Sequence, residues 1–374
     1  METGHQMPFG IGFVTDLLGL SQGTGAADRE SFYTACPFCQ RKRKLNINLK
    51  KDAWHCPACG EGGGMIKLYA MCREISQKEA ARELFRIYHD TDEKTRKEVS
   101  VRKSVLADLP EKRSAADLKK RNAAYQSLLA VLPLSDVHRE ALHRRGLSDD
   151  VIDRLGYRST PQHGLGRIAA ALEERGVDLD RIPGFYGTTK KRMVYRTPGI
   201  LLPVRTLRGQ ISGLQIRYDS LPETASEKEK EVYRKYAWFY SGDKKTGTSV
   251  SGCENIHHAG FHQGASVRKV CLTEGVLKAD IASAFSRVPF LGLTGVCNTA
   301  QLKSGLEDLK RRGTESVYVC VDMDWQTNRN VERALARIAG ICQSSGLETT
   351  VLTWPGTYKG IDDFLLEKKR RGML

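Results

Sequence analysis

Hydrophobic and polar positions change period along this chain, and the changes mark out its parts. Over 267–369, short β-branched and aromatic runs alternate with stretches of helical spacing. Lys269–Glu274 reads as a strand and Val276–Ser286 as a helix. Phe290–Leu293 reads as a strand leading into a glycine turn at 294–298. After a further helix, 317–324 has the composition of a buried strand, followed by a helix over 331–344 and a strand over 348–353. Ordered alternation of this kind predicts an α/β fold whose parallel sheet carries its chemistry at the carboxyl edge.

Upstream the pattern is different. From Val194 it turns to strands, with a hairpin formed by Gly199–Arg205, a turn at 207–210 and Ile211–Tyr218. This hairpin carries Arg205, Arg208 and Arg217, and after a charged excursion at 223–234 come Lys235 and Tyr236. Residues 124–155 have helical periodicity broken at Pro133 and Gly146, with Ser148, Asp149 and Asp150 as a helix cap, and helices continue over 165–175. The stretch 90–122 is dense in lysine, glutamate and arginine and reads as a linker. Near the amino end, 10–20 spells a short amphipathic helix begun by Thr15 or Asp16 as cap, and 45–51 alternates like a half-buried strand. The expected division is a β-rich module at 1–92, a charged linker at 93–122 and a helical subdomain at 123–190. A basic hairpin region at 191–265 and an α/β domain at 266–374 complete it.

Two groups of residues carry chemistry. Cys36 and Cys39 form one Cys-x-x-Cys pair, Cys56 and Cys59 another, and sixteen residues separate the pairs. That spacing suits a hairpin that brings two knuckles around a tetrahedral zinc ion, with His55 flanking the site rather than ligating. Arg41, Arg43 and Lys44 lie between the knuckles, with Tyr33 and Trp54 nearby. Either these residues follow a single-stranded backbone and stack a base, or they form a solvated turn with Trp54 packed beneath it. The second group is acidic. Asp322 and Asp324 end the 317–324 run, and in an extended chain they leave on the same face. Together with Glu274 at an earlier strand end and Asp362 further on, they predict a magnesium or manganese site. His257 and His258 are neighbours in an extended run, point opposite ways and are not expected to share an ion.

Composition supports this picture. The 374 residues include 59 lysines and arginines against 44 acidic residues, a net charge of +15 that suits a polyanionic partner. The remaining six of the ten cysteines, among them Cys271, Cys297 and Cys320, sit mostly in apolar runs and read as buried thiols of a reducing cytoplasm. The amino terminus lacks a signal-peptide layout, no apolar run approaches membrane-spanning length, and no membrane partner is expected.

Three stretches resemble one family. Residues 54–68, with Ser76 to Ala81 after them, are similar to the zinc-binding domain of DnaG-type bacterial and phage primases, although Cys39 stands where that family usually has histidine. The order of Arg205, Arg217, Lys235 and Tyr236 resembles the amino-terminal half of the primase core. Glu274 with the Asp322-x-Asp324 pair resembles a TOPRIM domain. The nearest likeness is to the divergent TOPRIM-like primases of phages, plasmids and other mobile elements, whose glutamate motif reads T-E-G-x-x-K-A-D. Classical primases have an aspartate where this chain has Lys278, and Asp280, two helix positions on, faces away from it.

The resemblance implies a DNA primase, making short RNA primers on a single-stranded DNA template from nucleoside triphosphates. In it Glu274, Asp322 and Asp324 are catalytic, and Asp362 is an auxiliary metal ligand. Arg205, Arg217, Lys235, Lys278 and Lys359 meet nucleotide or template. A separate replicative helicase is a further partner, docked elsewhere than on the short tail after the last TOPRIM element. A TOPRIM nuclease and a non-catalytic single-stranded-DNA-binding accessory protein are the rival readings. No G-x-x-x-x-G-K-[ST] loop of a helicase motor is present.

Overall fold

The computed structural model describes residues 7–20, 30–99, 113–226, 233, 235–261, 266–296 and 298–374. Cys297, part of the 90–122 stretch and most of the 223–234 excursion lie outside the described residues. The chain divides into two compact units, Met1–Glu111 and Lys112–Leu374.

In the first unit, α1 (Ile11–Leu17) precedes an antiparallel sheet of β1 (Ser31–Thr34), β2 (Leu45–Asn48), β3 (Ala53–His55) and β4 (Gly62–Gly64), paired in that order. The alternation of β2 appears as buried Leu45 and Ile47 between half-buried Asn46 and Asn48. Two helices follow, α2 (Met65–Arg73) and α3 (Gln77–Asp90). The latter opens with a reciprocal capping box between Ser76 and Glu79. The expected cap of α1 is corrected: Gly10 occupies the N-cap position, not Thr15 or Asp16. The helix starts earlier because a carboxylate remote in sequence, Asp52, accepts the Ile11 N–H at 2.8 Å, while Thr15 turns inward to bond the Gly12 carbonyl.

The second unit begins with four helices, α4 (Leu118–Val131), α5 (Asp136–Arg144), α6 (Asp149–Leu155) and α7 (Leu165–Glu174). α4 starts inside the charged stretch because Arg121, Ala124, Tyr125, Leu128 and Leu129 share one buried face. Ser148 sits at the N-cap of α6 but makes no side-chain cap bond. Interleaved with them is an antiparallel sheet ordered β10-β9-β8-β5, made of β5 (Arg158–Ser159), β8 (Gly199–Arg205), β9 (Ile211–Tyr218) and β10 (Tyr236–Trp238). β6 (Phe185–Tyr186) and β7 (Arg192–Met193) form a separate pair.

The remaining strands are β11 (Ile256–Ala259), β12 (Lys269–Glu274), β13 (Phe290–Leu293), β14 (Ser316–Cys320) and β15 (Glu348–Val351). They form a five-stranded sheet ordered β11-β13-β12-β14-β15, connected through α8 (Val276–Ser286), α9 (Leu302–Arg311) and α10 (Arg329–Ser344) and followed by α11 (Ile361–Arg370). β13, β12, β14 and β15 are parallel, as the alternation predicts, and β11 adds an antiparallel edge. Val270, Leu272, Val317 and Val319 pack with Leu306, Leu309 and Ile338 of α9 and α10. Cys271, Phe290 and Cys320 form the opposite layer with Ala279, Ala282, Ile361 and Leu365 of α8 and α11. Both faces are covered, which is why these strands read as continuous apolar runs. Cys253, Cys271, Cys320 and Cys342 are buried free thiols. Among the described residues, no helix is long and apolar enough to cross a membrane.

A buried polar junction joins the two sheets. The backbone N–H of Arg205 donates to His257 Nδ1 at 3.0 Å, so Nε2 carries the ring hydrogen and donates to Asp280 Oδ1 at 2.9 Å. Tyr157 donates to the other oxygen of Asp280 at 2.5 Å. The adjacent His258 points the other way, its Nδ1 bonding the Arg205 carbonyl at 3.2 Å.

Candidate functional site

The first site grows out of two matched knuckles. The Gln40 N–H returns to the Cys36 carbonyl at 2.8 Å, and the Gly60 N–H to the Cys56 carbonyl at 2.7 Å. Gln40 and Gly60 both take positive φ, +57° and +72°. These turns aim four thiols at one point. Cys36 Sγ lies 3.8 Å from Cys59 Sγ, and Cys39 Sγ lies 3.8 Å from Cys56 Sγ. A zinc ion with Zn–S bonds of ~2.3 Å has tetrahedral S–S edges of ~3.8 Å, so the donor set fits zinc. Burial pushes the Cys36 thiol up to about 11 and raises Cys59 further, so metal binding must displace held protons. His55 is exposed and is not among the clustered donors.

The basic arm divides by exposure. Arg41 and Arg43 are exposed and Lys44 is half-buried, all consistent with a surface that meets an anion. Trp54 is corrected. It is 2 % exposed, packs on Phe38 at 5.2 Å between ring centres and donates its indole N–H to the Gly64 carbonyl at 3.1 Å. Its ring is part of the core and cannot stack a base. Tyr33 is the aromatic that stays exposed.

The second site lies at the carboxyl edge of the five-stranded sheet. β12 ends at Glu274, and Gly275 turns the chain into α8 with φ +88°. A Cβ there would meet open space, so backbone conformation and not crowding calls for glycine. Lys278, one turn along α8, reaches back to Glu274 Oε1 at 3.0 Å and also bonds Asp322 Oδ1.

The Asp-x-Asp pair does not leave the strand as an extended chain. A 3₁₀ turn, Met323–Gln326, begins directly after Asp322, and the Met323 N–H is held by the Lys359 carbonyl at 2.9 Å. The two carboxylates therefore separate: the Asp322 side chain is 2 % exposed and Asp324 is 33 % exposed. Lys359 pairs with Asp324 Oδ2 at 2.9 Å and stands 3.9 Å from Asp322 Oδ2. Among the described residues, the four cysteines are the one group of three or more candidate ligands whose donor atoms all lie within 4.8 Å of one another. Glu274, Asp322 and Asp324 do not meet that spacing as a trio, although Lys278 bridges Glu274 and Asp322 and Lys359 pairs with Asp324.

The electrostatics of this cluster are strained. Burial, reinforced by the neighbouring Glu274 carboxylate, pushes Asp322 up to about 7. Burial opposes ionisation of Glu274 as well, but Lys278 wins and holds it below the usual range. Asp322 Oδ2 is buried without a hydrogen-bond partner, as is Asp362 Oδ1. Gly360 roofs the cluster: a Cβ there would lie 2.3 Å from Asp362 Oδ1, 3.4 Å from Asp322 Oδ1 and 3.5 Å from Lys278 Cε.

Beside it, Arg144, Arg145, Arg217 and Asp362 line a cavity of about 300 Å³. Arg145, at the end of α5, pairs with buried Asp362 at 2.5 Å. Only contact across the fold reveals it, since nothing local marks that arginine. Partial burial and then the cations Arg217, Arg145, Lys278 and Lys359 lower the Lys235 ammonium. The Nε of Arg217 is buried without a partner. Arg205 is corrected: at the opposite end of the β8–β9 hairpin from Arg217, it bonds the Leu155 and Gly209 carbonyls. Lys278 is corrected as well, because its ammonium is spent on the cluster's own carboxylates.

Comparison with known proteins follows this division. Residues 25–100 match the family model described as a CHC2 zinc finger, and residues 265–371 match a domain of unknown function (DUF3854). The chain is 23% identical over 349 residues to the DNA primase of Chlamydia trachomatis, covering 90% of this chain and 52% of that protein. The figures for the DNA primase of Chlamydia muridarum are the same. The chain thus spans about half the length of these relatives. Its fold is similar to the zinc-binding and RNA polymerase domains of Aquifex aeolicus primase. That match has a TM-score of 0.51 and 17% identity, and covers 96% of this chain and 82% of that one. The fold is therefore that of a four-cysteine zinc module followed by an α/β core similar in fold to the RNA polymerase domain of that primase.

Proposed function

We propose that this chain is a DNA primase, joining ribonucleotides into short primers on single-stranded DNA by metal-dependent nucleotidyl transfer. The observation that carries the reading is the sheet edge where Glu274, Asp322 and Asp324 adjoin a cavity lined by Arg144, Arg145 and Arg217. The carboxylates suit a divalent cation, and the cavity suits a polyphosphate.

The buried, unpartnered Asp322 Oδ2 is the acceptor that fits magnesium or manganese, with Asp324 as second ligand. When bound, the ion supplies charge stabilisation to the transferring phosphoryl group. Arg217, Arg145 and Lys235 neutralise triphosphate charge and fix its position, and the triphosphate offsets the partial burial and cation repulsion that lower the Lys235 ammonium. Glu274 holds the Lys278 ammonium against Asp322 and so shapes the ligand that meets the metal. Arg41 and Arg43 of the zinc module lie on exposed surface suited to the template backbone.

The test is incubation of the full chain with single-stranded DNA, labelled ribonucleoside triphosphates and magnesium, beside the Glu274→Gln and Asp322→Ala proteins. Short products that fall by about 100-fold or more in both variants are expected. Magnesium-dependent shortening of the DNA with no product would replace the primase with a nuclease. Tight DNA binding with neither activity would leave an accessory role.

A further inference from the structure

The carboxylates at the sheet edge already hold a cation of their own. Lys278 Nζ lies 3.0 Å from Glu274 Oε1 and is bonded to Asp322 Oδ1, the position from which a metal ion would bridge the same two side chains. A magnesium ion placed there would need oxygens at roughly 2.0–2.1 Å and would stand against the ammonium. Lys278 has little room to leave. Its side chain is 16 % exposed, it springs from the first turn of α8, and its ammonium is held by two carboxylates.

Lys359 is its opposite. That side chain is 64 % exposed and can swing into solvent, uncovering Asp324 and the unpartnered Oδ2 of Asp322.

We propose that Lys278 is a built-in cation standing in for one divalent metal ion, so that the site takes a single ion on Asp322 Oδ2 and Asp324, in exchange for Lys359. The inference rests on the metal-dependent reading above and concerns how many ions that site holds. Lys278 is a positioning residue in this account, fixing Glu274 and Asp322 without touching substrate.

The test counts ions and not products. Zinc-loaded full-length protein is titrated with manganese, and free Mn²⁺ is read by electron paramagnetic resonance. One tight ion per chain is expected for the natural protein and for Lys278→Arg, and two for Lys278→Met. Lys359→Ala should keep the count at one and tighten it several-fold, and Asp324→Asn should weaken that ion at least tenfold. Two ions in the natural protein, or one in a folded Lys278→Met, would overturn the proposal. If Lys278→Met does not fold, the count in the natural protein and the tightening in Lys359→Ala still decide. No bound manganese in any of these proteins would remove the metal-dependent reading itself.

Discussion

Arg145 Nη2 stands 2.5 Å from Asp362 Oδ2, joining the end of α5 to the first turn of α11 across 217 residues of sequence. The carboxylate side chain is 1 % exposed and the arginine 23 %, so the two partners carry unequal risks. Replacing Arg145 by methionine strands a buried charge whose Oδ1 already lacks a partner, and should cost about 3 kcal/mol in urea unfolding of the second unit. Asp362→Asn leaves the partly exposed arginine to find water and should cost nearer 1 kcal/mol. The double variant should be more stable than the sum of the two losses predicts. Strict additivity would show that the pair is not coupled.

The cation cluster predicts a kinetic effect. Arg217 and Lys235 are placed by paired strands, Tyr236 lying opposite Arg217 in the β9–β10 register. If they meet a triphosphate, Lys235→Met should raise the KM for nucleotide about tenfold, the value of one charge-assisted hydrogen bond, with a smaller change in kcat. Arg205→Met should leave that KM unchanged and lower thermal stability instead, because the Arg205 side chain serves the Leu155 and Gly209 carbonyls.

Trp54 gives a prediction that separates packing from stacking. Its ring fills the space between Phe38 and the hairpin backbone, and its indole N–H is satisfied by Gly64. Trp54→Ala should destabilise the zinc module by about 3 kcal/mol or more and quicken zinc loss to a chelator. Trp54→Phe should restore most of that stability without lowering affinity for single-stranded DNA. A loss of DNA affinity in the folded phenylalanine protein would return Trp54 to the binding surface.

These cases show where the sequence could be read and where it could not. The zinc ligands were legible because two Cys-x-x-Cys turns are local geometry, and the β-α alternation was legible because buried parallel strands are apolar throughout. Asp322 and Asp324 were expected on one face, and the structure separates them. The same-face rule holds only while the chain stays extended, and a 3₁₀ turn held by the Lys359 carbonyl ends that at Met323. Arg145, Arg205 and Asp280 were illegible for another reason: their roles are set by partners 217, 50 and 123 residues away. A charged residue looks alike on a solvated helix end and in a buried pair until the fold brings its partner.

His258 supplies a pH test independent of the acidic site. Burial lowers its pKa from 6.5 to about 4, and the neighbouring His257 adds to this. The bond to the Arg205 carbonyl and the charge of Asp308 act against it. The ring of Phe261 packs edge-on at 5.3 Å. The unfolded chain therefore takes up a proton between these two values that the folded chain refuses. Stability from this group is complete above the unfolded value of 6.5 and is lost as pH falls through 6.5 towards 4, by at most about 3 kcal/mol. In His258→Asn an amide nitrogen can take the place of Nδ1 without titrating. The difference in urea midpoint between the natural protein and this variant should be constant above about pH 7 and shift against the natural protein as pH falls to about 4. A difference that stays flat across that range would show that His258 is not the group responsible.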